Sequence, residues 1–448
     1  MNLKEAIAKL RSLTSRIELE MRAPRQTDAT PGVRTYGINK DFALFSKVGL
    51  GGLVLTDETA KEYRQCVDSI HTQVAGKTEH ISRSAVESSI QRAMLRAIDS
   101  VQASTEKDFS KRLTSALSDL SDELGTKPST WEVHYPIEGV LPDKLPFTFG
   151  KCEFYFGDDA CLDLLLGRVD RIIVSLVGED AVQDARRDAE TTIRQLVKGK
   201  TGVSATVDAV DAEAARLLAR KMSRQIVDIL NFYANLGNHP PSEVLLFSEG
   251  RGPGALYTFL FAEEPPAFQS PMDRFGPAMR FSFAASHLDG TGFQRMSDML
   301  KKPENARSKI EDRLVAAFQW AGKASVEPRK EEAFLLFAIS LESLLLERND
   351  KSEISETLAL RAAHLISGPQ SRRMVYEDMK RLYRVRSNIV HSGSVDVAED
   401  QLSEIRYYAR LALLTVLCSS HFSEMTKDEE LMKWFQERLL SANSDPPS

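Results

Sequence analysis

Apolar residues recur at three- to four-residue spacing toward both ends of the chain. Between them, short β-rich runs sit among turn residues. Residues 1–125 read mostly as helix. The clearest part is "RSAVESSIQRAMLRAIDSVQASTEKDFSKRLTSALSDLSDEL", which has few breakers and carries Met94, Leu95, Ile98 and Val101 at helical spacing. "YGINKDFALFSKVGLGGLVL" interrupts it with glycines and β-formers, predicting a loop with a short strand. From 130 to 290 the pattern changes. "PFTFGKCEFYFGDD" and "RIIVSLVGED" read as strands bounded by turn residues. "VSATVDAV" reads as a strand that feeds an amphipathic helix ending near "NFYANL". "SEVLLFSEGRGPGALYTFLFAEEP" predicts a hairpin around a Gly/Pro turn, and "AMRFSFAAS" a further strand.

From about residue 300 the helical period returns. "NARSKIEDRLVAAFQWAGKAS" is one helix. "EPRKEEAFLLFAISLESLLLER" is a second, with Pro328 at its start. "EISETLALRAAHLIS" is a third, closed by Gly368-Pro369. "QSRRMVYEDMKRLYRVRSNIVH" is a fourth, stopped near Gly393. "AEDQLSEIRYYARLALLTVLCSSHFSE" is a fifth, and a short helix follows around Trp434. The predicted class is multidomain α+β: a mostly helical N-terminal region (1–127), a central α+β domain (128–298), a C-terminal all-α helical bundle (299–442) and a disordered tail (443–448).

Composition narrows this picture only slightly. The 448 residues are 42% hydrophobic and 27% charged, ordinary for a folded soluble protein. The net charge of −6 argues against non-specific wrapping of nucleic acid, yet leaves room for a local basic site. Cys66, Cys152, Cys161 and Cys418 show no CxxC or zinc-like spacing and read as reduced cytosolic thiols. The N-terminal stretch lacks the apolar core of a signal peptide. The most apolar runs are too short or too polar to span a bilayer. A cytoplasmic location without membrane contact is expected.

Several motifs fail on context. "GRGPGA" (250–255) lacks the Lys-Ser/Thr and helix of a phosphate loop, and "GLGG" (49–52) fails the dinucleotide fingerprint. HExxH, GxSxG and EF-hand patterns are absent from the sequence. His134, His239 and His287 have no partners at ligand spacing and read as surface or half-buried positions. Neither a metal nor a cofactor is expected.

"RVRSNIVHSG" (384–393) is different. At roughly 100° per residue, Val375, Met379, Leu382, Arg386 and Ile389 fall on one stripe, so Arg386 interrupts an apolar face. A buried, unpaired guanidinium is costly, so Arg386 calls for a carboxylate or a bound anion. Glu342 in "FAISLESLLL" is one candidate partner. Arg361 in "LALRAAHLI" is another intruder, and the three could make an ion-pair network. His391 points away from Arg386 on a straight helix and shares a face with Arg384. It also sits two residues before Gly393, where the helix is expected to end. There it could turn back toward Arg386 or cap the last carbonyls. Ser387 and Asn388 lie four and three residues before it. From Arg372 to Arg386, six cations stand against two carboxylates, a local excess of four positive charges. That pattern suits an anionic ligand, with Arg381 and Arg384 as phosphate contacts. It equally suits a solvated basic face.

"RSNIVH" has the form Arg-x4-His. Together with "AFQWAGKAS", the "LE" of the second C-terminal helix, the "RA" of the third and the glycine after the histidine, it resembles the Apea-like branch of HEPN domains. The resemblance covers residues 305–425. It implies a helical bundle in which Arg386 and His391 are the signature pair. Ser387 stands where many HEPN nucleases have Asn, Asp or His, and fits the Apea-like variant. Glu342 and Arg361 become structural or site-supporting residues, with Ser387 and Asn388 as supporting polar groups. The implied activity is metal-independent endoribonuclease cleavage, in antiviral defence or as a toxin. RNA supplies its own 2′-OH nucleophile, histidine a proton transfer and arginine a grip on phosphate oxygens. The products would carry a 2′,3′-cyclic phosphate and a 5′-OH. A homodimer through this domain is implied, with residues 1–298 contacting a regulator or sensor. The alternative is a non-catalytic HEPN module for dimerisation or for RNA or nucleotide binding.

Overall fold

In a computed structural model of the chain, the described residues are 5, 8–10, 12–13, 43–44, 53–54, 57–75, 81–99, 128–137, 139–140, 145–176, 182–236, 254–257, 259–262, 267–269, 272–275, 288, 290–347, 354–368, 371–392 and 396–440. Residues 1–131 and 207–218 form one compact unit, and residues 132–206 and 219–448 a second.

In the first unit, β1 (Ala43–Leu44) pairs antiparallel with β2 (Leu53–Val54). These two-residue strands lie in the segment that predicted a loop with a short strand. Helix α1 (Asp57–Ala75) packs against α2 (Arg83–Asp99). Tyr63, Cys66, Val67 and Ile70 on α1 and Val86 and Ile90 on α2 are buried at helical spacing. The rest of the expected long helix, 100–124, lies outside the described residues.

The α+β region is built on β3 (Ser129–Pro136), β4 (Phe147–Phe149), β5 (Cys152–Phe156) and β6 (Thr201–Ala209). Helices α3 (Asp159–Leu176) and α4 (Val182–Val197) lie between β5 and β6, and α5 (Ala212–Ala234) follows β6. The sheet has six strands in the order β4-β5-β6-β3-β8-β9, with β8 (Phe259–Ala262) and β9 (Ala267–Gln269) forming an antiparallel pair. β7 (Gly254–Tyr257) pairs antiparallel with β10 (Met272–Phe275) in a separate two-stranded sheet. The part of the expected hairpin before Gly254 and the strand expected at 278–286 lie outside the described residues.

One expectation is corrected. "RIIVSL" (171–176), expected as a strand, is the last part of α3. Its Ile172 and Ile173 continue a helical series with Leu162, Leu165 and Val169. That series packs against Ile193, Leu196 and Val197 of α4. Tertiary burial along the whole helix outweighs the local β-propensity of a branched triplet.

The C-terminal region is all-helical, as expected. It comprises α6 (Phe293–Lys301), α7 (Lys309–Val326), α8 (Lys330–Leu345), α9 (Ile354–Ile366), α10 (Arg372–Ser392), α11 (Glu399–Cys418), the short α12 (Ser420–Ser423) and α13 (Asp428–Leu440). A capping box starts α7: Glu311 N donates to Ser308 Oγ (3.2 Å), and Ser308 N to Glu311 Oε2 (2.9 Å). Helices α5 and α7 approach closely at Gly322, where a β-carbon would lie 1.6 Å from the Asp228 carbonyl oxygen.

Half-buried arginines cap helix ends in this unit. Arg313 donates to the carbonyls of Ser343 (3.3 Å) and Leu346 at the end of α8, and Arg361 to that of Leu345 (2.6 Å). Arg295 serves Leu417 and Ser419 at the end of α11, and Arg410 serves Asn235 and Leu236 after α5. Each places positive charge on the carbonyl-rich, negative end of a helix dipole. Among the described residues no helix is long and apolar enough to cross a membrane.

Candidate functional site

The stripe read from the sequence is realised on α10. Val375, Met379, Leu382 and Ile389 are buried, and Arg386 stands in line with them. Its Nε donates to Glu342 Oε1 of α8 at 3.1 Å. Tyr383, one turn earlier, points its hydroxyl at the same Glu342 oxygen (3.4 Å) and at the Ala338 carbonyl (3.3 Å). Burial, with Glu342 beside it, pushes the Tyr383 hydroxyl well above the usual phenol range. The pair is not sealed: the Arg386 side chain is 31% exposed and that of Glu342 23%. No other described group accepts a hydrogen bond from Arg386. Glu342 therefore holds one edge of the guanidinium and leaves its two terminal nitrogens open.

Arg361 sits elsewhere. It caps α8 through Leu345, and its guanidinium carbon lies 5.7 Å from the Phe435 ring centroid. The three-residue network with Glu342 and Arg386 is replaced by a two-residue pair and a helix cap.

His391 is exposed, and α10 runs through Ser392. The helix ends next to Gly393, as expected, and His391 keeps a helical position in its last turn. Five residues of straight helix put His391 roughly 140° around from Arg386 and about 7.5 Å further along the axis. Arg384 is exposed on the face of His391, and no described group pairs with it. Asn388 is exposed and Ser387 half-buried beside them. One chain therefore brings Arg384, Asn388 and His391 together on the solvent face, and Arg386 with Glu342 and Tyr383 on the inner face.

The local positive excess is largely matched in three dimensions. Arg373 pairs with Glu377 (2.9 Å), Lys380 with Glu356, and Arg381 with both Asp378 (2.9 Å) and Glu404 (2.7 Å). Glu342, Glu356 and Glu404 come from α8, α9 and α11, so a count along α10 alone misses them. Arg381, expected as a phosphate contact, is held by two carboxylates.

A polar cluster that no sequence motif marks lies in the α+β region. His134, expected at the surface or half-buried, is 2% exposed. Its Nδ1 lies 3.1 Å from the Tyr155 hydroxyl and its Nε2 3.2 Å from Glu132 Oε1, while Arg168 of α3 reaches the other Glu132 oxygen. Burial pushes the Glu132 carboxyl up, but His134 and Arg168 outweigh it and hold it below the usual range. Gly202 makes the arrangement possible, because a β-carbon there would lie 2.4 Å from the Tyr155 ring. The signal was the alternation in "WEVHYP", which puts Glu132 and His134 on one face of a strand. His239 and His287 lie outside the described residues. Among the described residues no group of three or more His, Cys, Asp or Glu side chains is placed to hold a metal ion. Compared with family models, curated proteins and solved structures, the chain matches none.

Proposed function

We propose that the C-terminal helices form a HEPN-class, metal-independent endoribonuclease module whose substrate is RNA and whose working unit is a homodimer, serving antiviral defence or acting as a toxin. The observation that carries this reading is the state of Arg386. A carboxylate on Nε fixes the plane of the guanidinium, while the terminal nitrogens remain open and partly exposed. That is the condition in which arginine can take two phosphate oxygens as a fork and stabilise a phosphorane. His391, exposed in the last turn of the same helix, is free to exchange a proton with the 2′-OH or the leaving 5′-oxygen. Because the two residues diverge around α10, a phosphate gripped by Arg386 of one copy would meet His391 of another. Val390, one turn beyond Arg386 and 50% exposed, is an apolar position available to such a contact.

The test is cleavage of single-stranded RNA in the presence of EDTA by wild type, Arg386→Ala and His391→Ala. Cleavage by wild type alone, leaving 2′,3′-cyclic phosphate ends, is expected. Equal cleavage by all three proteins refutes the assignment. A second reading, a non-catalytic HEPN module for dimerisation or RNA or nucleotide binding, is favoured by the Arg386–Glu342 pair and by the matched charges along α10. It predicts no cleavage by any of the folded proteins.

A further inference from the structure

Helix α11 carries two arginines whose environment differs from that of every cation paired along α10. Arg406 and Arg410 are four residues apart, so their side chains are neighbours on one face of the helix. Arg410 donates through its terminal nitrogens to the carbonyls of Asn235 and Leu236, just after α5. Its Nε is buried and finds no acceptor among the described residues. Arg406 Nε is likewise buried without an acceptor. Its guanidinium carbon lies 5.8 Å from the ring centroid of Phe337, and among the described residues no hydrogen bond or ion pair engages it. Burial, and then the charge of Arg406, push the Arg410 guanidinium down to about 10.

Two half-buried like charges side by side oppose each other, and two buried N–H groups without acceptors each carry a desolvation cost. The carbonyls after α5 offset part of the charge of Arg410 but none of that of Arg406. We infer that Arg406 and Arg410 form an oxyanion site that takes a phosphate group, supplied either by free inorganic phosphate or by a phosphate ester. A tetrahedral oxyanion has enough acceptor oxygens to serve both guanidinium groups and enough charge to cancel their repulsion. Phe337 is fully buried, so it backs the arginine and offers no face on which a base could stack. Recognition is thus of the oxyanion itself. The site is separate from Arg386: Phe337 and Glu342 are five residues apart and face roughly 140° apart around α8.

The test is thermal unfolding of the full chain in inorganic phosphate, adenosine monophosphate, acetate, or sodium chloride at matched ionic strength. We expect a saturable rise in the wild-type midpoint with phosphate, as for any ligand that binds the native state only. It should fall in Arg406→Gln, and the part that falls there should persist in Arg386→Gln. A matching rise with adenosine monophosphate means that phosphate esters enter, and a rise with inorganic phosphate alone means that the site admits the free ion. If Arg406→Gln does not fold, Arg406→Lys should raise the half-saturating phosphate concentration about tenfold, since lysine lacks the fork. No wild-type rise beyond the chloride control overturns the inference. So does an equal rise in Arg406→Gln, or a rise lost instead in Arg386→Gln. An acetate response equal to that of phosphate overturns the ligand class.

Discussion

Helices α10 and α11 both carry arginines into a packed bundle, and they dispose of the charge in opposite ways. On α10, Arg373, Lys380, Arg381 and Arg386 each meet a carboxylate, three of them through neighbouring helices. On α11, Arg406 and Arg410 meet carbonyls, an aromatic ring and each other. The helix that looks more basic in sequence is the better compensated in space. The useful question about a cation is therefore which of its donors remain unused. By that measure the cations of α10 and α11 that keep unused donors among the described residues include Arg386, Arg384 and the Arg406–Arg410 pair.

Removing a partner sharpens the contrast most. Glu342→Ala frees Arg386 from the group that orients it, so RNA cleavage should fall about 10- to 100-fold, measured as kcat/KM. Stability should drop by only about 1 kcal/mol, because the pair is partly exposed. A cleavage rate unchanged by Glu342→Ala would mean that the orientation of Arg386 is irrelevant.

A buried carboxylate gives the next effect. Asp228 is 9% exposed between α5 and α7. Burial pushes its carboxyl up to about 6, against the opposing pull of Gln319, Lys323 and Arg224. A raised carboxyl favours the protonated folded state, so its contribution is fully present below the unfolded value of 3.8 and is lost as pH rises through about 6. Asp228→Asn should therefore stabilise the protein at pH 7.5 by on the order of 2 kcal/mol and leave it nearly unchanged at pH 3.5. Urea unfolding at the two pH values reads this directly, and equal effects at both would contradict it.

Smaller effects belong to the solvent face. Arg384→Gln should leave the unfolding midpoint in place and reduce the salt dependence of RNA binding by about one phosphate contact. Arg373→Gln, whose ion pair is fully exposed, should change neither stability nor the salt slope. A larger loss of RNA affinity in Arg373→Gln than in Arg384→Gln would reverse the ranking of open and matched cations.

The C-terminal helices were legible because their apolar period is long and their stops are chemical: Pro328 before α8 and Gly368 after α9. The arginine in the stripe and its candidate partner Glu342 were legible for the same reason, since both interrupt otherwise apolar faces. Matched charges were not. Glu356 and Glu404 are more than 20 residues from Lys380 and Arg381, and only packing brings them near. The end of α3 was misread because Ile172, Ile173 and Val174 look like a strand when separated from Leu162, Leu165 and Val169. The helix stop near Gly393 was legible from the glycine, but α10 stays helical through Ser392, so His391 keeps the helical direction that points away from Arg386. The buried His134–Tyr155 contact joins β3 to β5 across β6, a pairing that no local pattern specifies.

The divergence of Arg386 and His391 around α10 leads to one direct measurement. Arg386→Ala and His391→Ala proteins are mixed, unfolded and refolded together, and assayed for RNA cleavage in EDTA. If each site joins Arg386 of one copy to His391 of the other, the mixed dimer contains one intact site. Random pairing under two-fold symmetry should then restore about a quarter of wild-type activity from two inactive proteins. A mixture as inactive as its components, while refolded wild type recovers fully, would contradict a site shared between two chains.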